Sequence, residues 1–165
     1  MKNDFATNWN AVSALANVVM AFGVFLAYVQ IRMTRQLAQT DFEDRLAKEY
    51  RDIISKLPSS VLLGDCIDES KFDDLIDDFY RYFDLSNEQI LLRNRGRIKY
   101  RVWKEWCDGM KFNMKLNAFQ HAWQAITKRK PIFGEFKSLM DSNFELDPRK
   151  SRFSRLCTFA NLINK

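Results

Sequence analysis

Histidine occurs once in this chain, at position 121, and cysteine three times, at Cys66, Cys107 and Cys157. No Cys-x-x-Cys or Cys/His ligand spacing results, so neither a zinc site nor a disulfide framework is expected, and free thiols fit a reducing compartment. The 5 glycines and 3 prolines form no low-complexity run, which argues against disordered linkers. Sustained apolar–polar alternation and hairpin turn pairs are missing, which removes the sheet classes. A Walker A loop, a dinucleotide fingerprint, a metalloprotease His pair and a serine elbow are all absent, and no internal repeat occurs. No catalytic, cofactor-binding or metal residue is therefore assigned, and a non-enzymatic protein without cofactors is expected. A hydrolase built from His121, Cys107 and distant acids is the weakest reading, because spacing places no partner beside either residue.

The most telling absence is of charge. From Phe5 to Ile31 there is no Lys, Arg, Asp or Glu, and Trp9–Ile31 is largely apolar. About 20 helical residues at roughly 1.5 Å each span the ~30 Å of bilayer hydrocarbon. A cleaved signal peptide fits poorly: its apolar core is shorter, and this run ends in Gln30-Ile31-Arg32 without a small-residue cleavage site. Arg32 and Arg35, with Arg45 and Lys48 beyond them, outweigh Lys2 on the other side. The positive-inside bias then puts residues 1–8 outside, a span over 9–31, and the rest in the cytoplasm.

Along the span, Ala16, Gly23 and Ala27 fall on one side of the helix, adjoined by Ser13, Asn17 and Met20. Gly23-x-x-x-Ala27 is a small-xxx-small pair that lets helices approach closely in lipid, and Asn17 can hydrogen-bond a neighbouring helix. These residues predict a homo-oligomer or pairing with another membrane protein.

The chain beyond Ile31 is long enough for one core and too short for two. The net charge of +5 resides there, since Lys2 and Asp4 cancel. That mild excess suits an anionic lipid surface and is weak evidence for nucleic acid. Met33, Leu37, Phe42, Leu46, Tyr50, Ile53 and Leu57 recur mostly at three or four, predicting a helix that runs on to about Lys56 and stops before Pro58. Residues 57–68 read as a connector around Val61-Leu62-Leu63. Ser70 with Asp73 reads as a capping box opening a helix with Phe72, Leu75, Ile76, Phe79 and Phe83 inside. Ser86 with Gln89 reads as a second box opening a separate short helix, ended by Gly96. Ile98, Val102, Trp106 and Met110 mark the next helix, and Phe119, Trp123 and Ile126 another. Phe133, Phe136, Leu139 and Met140 suggest a further segment. Asp147-Pro148 starts a basic C-terminal helix over 147–165 that either lies on an anionic membrane or packs on the bundle. The fold class is all-α: a transmembrane helix continuing into a small cytoplasmic helical bundle over 32–146.

Two charged clusters stand out. Asp73, Asp74, Asp77 and Asp78 are spaced to share an ion, but a solvated helix face near a favourable N-terminus explains them better. Arg93, Arg95, Arg97, Lys99 and Arg101, followed by Trp103 and Trp106, are candidate contacts for a partner or for phosphate. They equally suit stems packed along a bundle, with Asp77, Asp78 and Asp84 as internal partners. A membrane-tethered nucleic-acid binder using 93–106 is the alternative function.

The layout of an N-terminal span, Gln36–Arg51 in one helix, Tyr82-Phe83-Asp84-Leu85-Ser86-Asn87-Glu88-Gln89-Ile90, Gly96-Arg97-Ile98, Trp103, Trp106-Cys107-Asp108-Gly109-Met110, Phe119 and Trp123 resembles a family of bacterial membrane-anchored helical proteins known as a domain of unknown function. The resemblance covers roughly residues 8–140 and leaves out 147–165. It implies an inner-membrane anchor with a cytoplasmic helical domain, and supplies no catalytic residue or substrate. Proteins of this style accompany bacterial defence and stress modules, antiviral ones included. An effector or sensor that docks a cytoplasmic protein partner is the function it implies.

Overall fold

In the computed structural model the backbone is described for residues 2–65, 69–129 and 132–150, and the side chains for the same residues without 2–11 and 69–71. The expected Ser70 cap, Cys66, Cys157 and the C-terminal helix beyond 150 lie outside the described residues, as do residues 130–131. The elements are helices throughout: α1 (Lys2–Ile54), α2 (Ser59–Leu63), α3 (Glu69–Asn94), α4 (Tyr100–Asn113), α5 (Asn117–Arg129) and α6 (Gly134–Asp141), with no strand among the described residues. Two compact units divide the chain, Met1–Asp41 and Phe42–Lys165.

In the first unit the helix contains no proline to break it, and nearly all of its described apolar side chains are exposed. Val12, Leu15, Val18, Phe22 and Phe25 are all exposed, as are Met33 and Leu37 beyond the charge-free run.

The second unit holds the core. Its part of α1 buries Glu43, Leu46 and Ile53 at spacings of three and seven, and Leu57 just beyond the helix continues the stripe four residues on. The helix stops at Ile54, a little before the expected Lys56. Lys56 and Leu57 already bond to carbonyls three residues back, and Pro58 comes next with no N–H to give. The expected connector contains a short helix, because Pro58 at the N-cap of α2 lets Val61 bury itself. Gly64 ends it at φ 99°. The Asp65 N–H reaches the Ser60 carbonyl and the Gly64 N–H the Val61 carbonyl, the paired bonds of a Schellman turn.

α3 is the central element of this unit and packs on both α5 and α6. The expected separate helix from Ser86 is a misreading: α3 runs unbroken to Asn94. No Gly or Pro interrupts residues 72–95, and Ser86 and Gln89 are buried on the apolar face instead of capping an end. Phe79, Tyr82 and Phe83 on that face meet Phe119, Trp123 and Phe136 edge-on, at ring-centroid distances of 4.9–5.5 Å. Such pairs add about 0.5–1.5 kcal/mol each beyond simple burial. Gly96, at φ 75°, closes α3 as expected, and Arg97 and Gly96 complete a second Schellman turn onto Leu92 and Arg93.

Two helix starts lack a capping side chain of their own and borrow one from a distant segment. At α6, the preceding Phe133 is in the left-handed region and offers no oxygen, so Asn87 of α3 accepts the Phe136 N–H at 3.1 Å. At α4, the Lys99 N–H donates to Glu43 Oε1 at 2.7 Å. A carboxylate there satisfies an otherwise orphaned donor and faces the positive end of the helix dipole.

Candidate functional site

Ala16, Asn17, Gly23 and Ala27 are all exposed on α1, and a Cβ added at Gly23 would meet nothing within 4 Å. Among the described residues α1 is the one helix long and apolar enough to cross a membrane, and none of its apolar window is covered by protein. The core helix of a soluble protein would be mostly covered. Here the eleven consecutive apolar or small residues from Val18 to Tyr28 all face outward, an exposure far beyond the few hundred Å² of apolar patch that a soluble surface carries.

The expected row of basic contacts divides. Arg93 is buried, and each nitrogen of its guanidinium makes a hydrogen bond. Nε donates to Asp147 Oδ1 at 2.9 Å, Nη2 to Asp147 Oδ2 at 2.6 Å, and Nη1 to the Ile98 carbonyl at 2.8 Å. The group also stacks over the Tyr100 ring at 5.5 Å. Arg93 is therefore withdrawn from the set facing a partner. Its acid is Asp147 and none of the expected Asp77, Asp78 and Asp84, because one unbroken α3 holds even position 84 roughly 13 Å from position 93 along its axis. Burial opposes ionisation of Asp147, yet the hydrogen bonds from Arg93 and the Arg149 backbone prevail and hold its carboxyl below the usual carboxylate range. Asp147 also accepts the Arg149 N–H at 3.2 Å, so the expected helix start at Asp147-Pro148 is present and residues 148–150 are helical.

The remaining cations are exposed: Arg95, Arg97, Lys99 and Arg101. Lys99 also pairs with Glu43 at 3.5 Å, and Arg101 with Glu105 at 3.5 Å one helical turn on. Arg149 and Lys150, which sequence reasoning assigned to a separate C-terminal helix, join this group. The Arg149 guanidinium lies 3.5 Å from where a Cβ on Gly96 would stand. With Arg93, Tyr100 and Asp147, these two residues line an open cleft of about 660 Å³.

A polar cluster that sequence reasoning missed lies inside the aromatic core. Asn113 donates to the Tyr82 hydroxyl at 3.2 Å and to the Tyr50 hydroxyl at 3.3 Å. Burial raises the Tyr82 phenol well above its ordinary value, against the hydrogen bonds from Asn113 and Ser86. Beside it a cavity of about 100 Å³ is lined by Tyr50, Ser86, Gln89, Glu105, Trp106, Gly109 and Met110.

Cys107 is buried, and its thiol donates to the Phe144 carbonyl at 3.5 Å. Burial first, then the Asp108 charge, push the thiol up to about 11. It is thus protonated near neutral pH, a packing residue with little thiolate for nucleophilic attack. His121 is exposed, with its ring 4.4 Å from that of Phe72. Asp73, Asp74 and Asp77 are exposed and Asp78 half-buried, and no group of three or more His, Cys, Asp or Glu is placed to hold a metal among the described residues. Trp103 is buried in the core and Trp106 half-buried beside the cavity.

Set against known proteins, the chain matches no family model, no characterised protein and no solved structure.

Proposed function

We propose that this chain is a non-enzymatic membrane-anchored interaction protein. Its apolar helix crosses a bacterial inner membrane once, and the helical unit from Phe42 onward lies in the cytoplasm, where it docks a protein partner. The observation that carries this reading is the uncovered apolar surface of Val12–Ile31 beside a unit with a complete aromatic core of its own. Ordered helices in water do not leave that much hydrocarbon exposed; lipid or another membrane helix is the environment that covers it. The basic residues after Ile31 support the cytoplasmic placement. Gly23, Ala27 and Ala16, with Asn17 beside them, support pairing of two such helices within the bilayer. An effector or sensor role in a bacterial defence or stress module is the biological setting we propose for it.

Protease treatment of spheroplasts tests the orientation. The helical unit is expected to resist digestion until the inner membrane is opened, whereas digestion in intact spheroplasts would reverse the topology. Cross-linking of full-length chains in native membranes tests the pairing: cross-linked dimers are expected, and a chain recovered only as monomer would remove it.

A further inference from the structure

The end of α3 gathers positive charge from two segments far apart in sequence. Arg95, Arg97, Lys99 and Arg101 occupy the turn into α4, and Arg149, with Lys150 after it, lies against that turn over Gly96. Three carboxylates close by are engaged by basic side chains: Asp147 by Arg93, Glu43 by Lys99, and Glu105 by Arg101. In formal charge the exposed cations of the turn exceed these three acids. Of the exposed acids of α3, a helix roughly 39 Å long, Asp73, Asp74 and Asp77 lie towards its other end, whereas Asp84 and Glu88 lie in the half nearer the turn.

We propose that this basic turn is a docking surface for the anionic leaflet of the membrane that holds α1, gripping lipid phosphates through the guanidinium and ammonium groups. This rests on the anchored reading of α1. Charge complementarity favours that occupant, and the tether makes it abundant: Arg32 and Phe42 are joined by about 15 Å of helix, so the folded unit works at a very high effective concentration of headgroups. The acids at the far end of α3, Asp73, Asp74 and Asp77, favour presenting the basic end to a negative surface. A single-stranded nucleic acid fits less well, because the stacking platform it needs is missing: Trp103 is buried, which leaves Tyr100 as the exposed ring of the turn.

The test uses the full chain in lipid nanodiscs carrying a headgroup spin label, with NMR broadening of backbone amides as the readout. With phosphatidylglycerol in the disc, amides 95–101 and 149–150 broaden more than amides 73–84, and high salt reverses the difference. In neutral phosphatidylcholine discs the difference is small. The combined Arg95→Gln, Arg97→Gln and Arg149→Gln variant, whose substitutions are all at exposed positions, lowers the ratio of docked to undocked unit by roughly a hundred-fold. Equal broadening in both lipids, from a chain that remains in the disc, overturns the docking surface and leaves the anchor standing. A chain that separates from the disc overturns the anchor itself. Release of the lipid-dependent broadening by added single-stranded RNA, with shifts at 95–101, assigns the turn to nucleic acid and overturns the lipid assignment.

Discussion

Arg93 and Asp147 meet through two parallel hydrogen bonds of 2.9 and 2.6 Å, across 54 residues of sequence. The same guanidinium holds the Ile98 carbonyl, so one side chain ties the end of α3, the turn into α4 and the segment after α6. Bidentate charge-assisted pairs are strong only when, as here, few donors are left without a partner.

Removing one half of that pair is costly. Asp147→Asn leaves a buried guanidinium without its counter-charge. The loss is expected to be on the order of 2–3 kcal/mol, somewhat below the value for a fully enclosed pair because the adjoining cleft is open to water. Denaturant unfolding of both proteins measures it, and a difference under about 0.5 kcal/mol would contradict the assignment.

The same pair predicts a pH dependence. The folded-state pKa of Asp147 lies below its unfolded value of about 3.9, so its stabilisation is fully present above that value and disappears as pH falls through the folded pKa. The gap in stability between the parent chain and Asp147→Asn should therefore narrow steadily below about pH 4. A gap that stays constant from neutral pH into that range would mean that the carboxylate charge is not what stabilises the fold.

Two glycines should respond to alanine with opposite signs. Gly96 is at φ 75°, where any Cβ is strained, while that Cβ would make only ordinary contact with Arg149 at 3.5 Å, so Gly96→Ala is expected to destabilise by about 1–2 kcal/mol through the backbone. Gly109 sits inside α4, and its Cβ would meet nothing within 4 Å. Gly109→Ala should therefore stabilise by about 1 kcal/mol through helix propensity. Thermal unfolding of the two variants in parallel checks both signs.

Asn113 is predicted to couple to Tyr82. Asn113→Leu leaves a buried hydroxyl short of a donor, at a cost of about 1–3 kcal/mol. Combining it with Tyr82→Phe should cost less than the two single changes added together. A strictly additive double-mutant cycle would show that the 3.2 Å bond carries no coupling.

In the membrane, Gly23→Leu with Ala27→Leu should reduce cross-linked dimers several-fold without changing how much protein is in the membrane fraction. Undiminished dimers would place the pairing outside this face of the helix.

The helices themselves were largely legible in the sequence. The charge-free run and the three-and-four spacing of Leu46, Ile53, Phe79, Phe83, Trp106, Met110, Phe119 and Ile126 mark α1, α3, α4 and α5 without help, although α4 buries Trp103 and Cys107 more deeply than the expected Val102 and Trp106. The misreadings have a common origin. Ser86 and Gln89 carry the letters of a capping box, and nothing local shows that both are turned into an aromatic core. Arg93 and Glu43 look like ordinary surface charges until the helices pack, because their partners are 54 and 56 residues away. One signal was present nonetheless. Glu43 falls on the stripe of Leu46, Tyr50, Ile53 and Leu57, and Arg93 on that of Tyr82, Ser86, Gln89 and Ile90. A charge on an apolar stripe asks for a buried partner. The borrowed caps of α4 and α6 left no such trace, since Lys99 and Phe133 are not capping residues.

The anchor, the topology and the lipid contact all require that Val12–Ile31 resides in the bilayer. Alkaline carbonate washing of membranes from cells making the full-length chain tests this most directly. The chain should stay in the pelleted membranes, and replacing Val19 and Phe22 with Arg should release it to the supernatant. Recovery of the unaltered chain in the supernatant would contradict the anchor, and the exposed apolar helix would then need a protein partner to cover it.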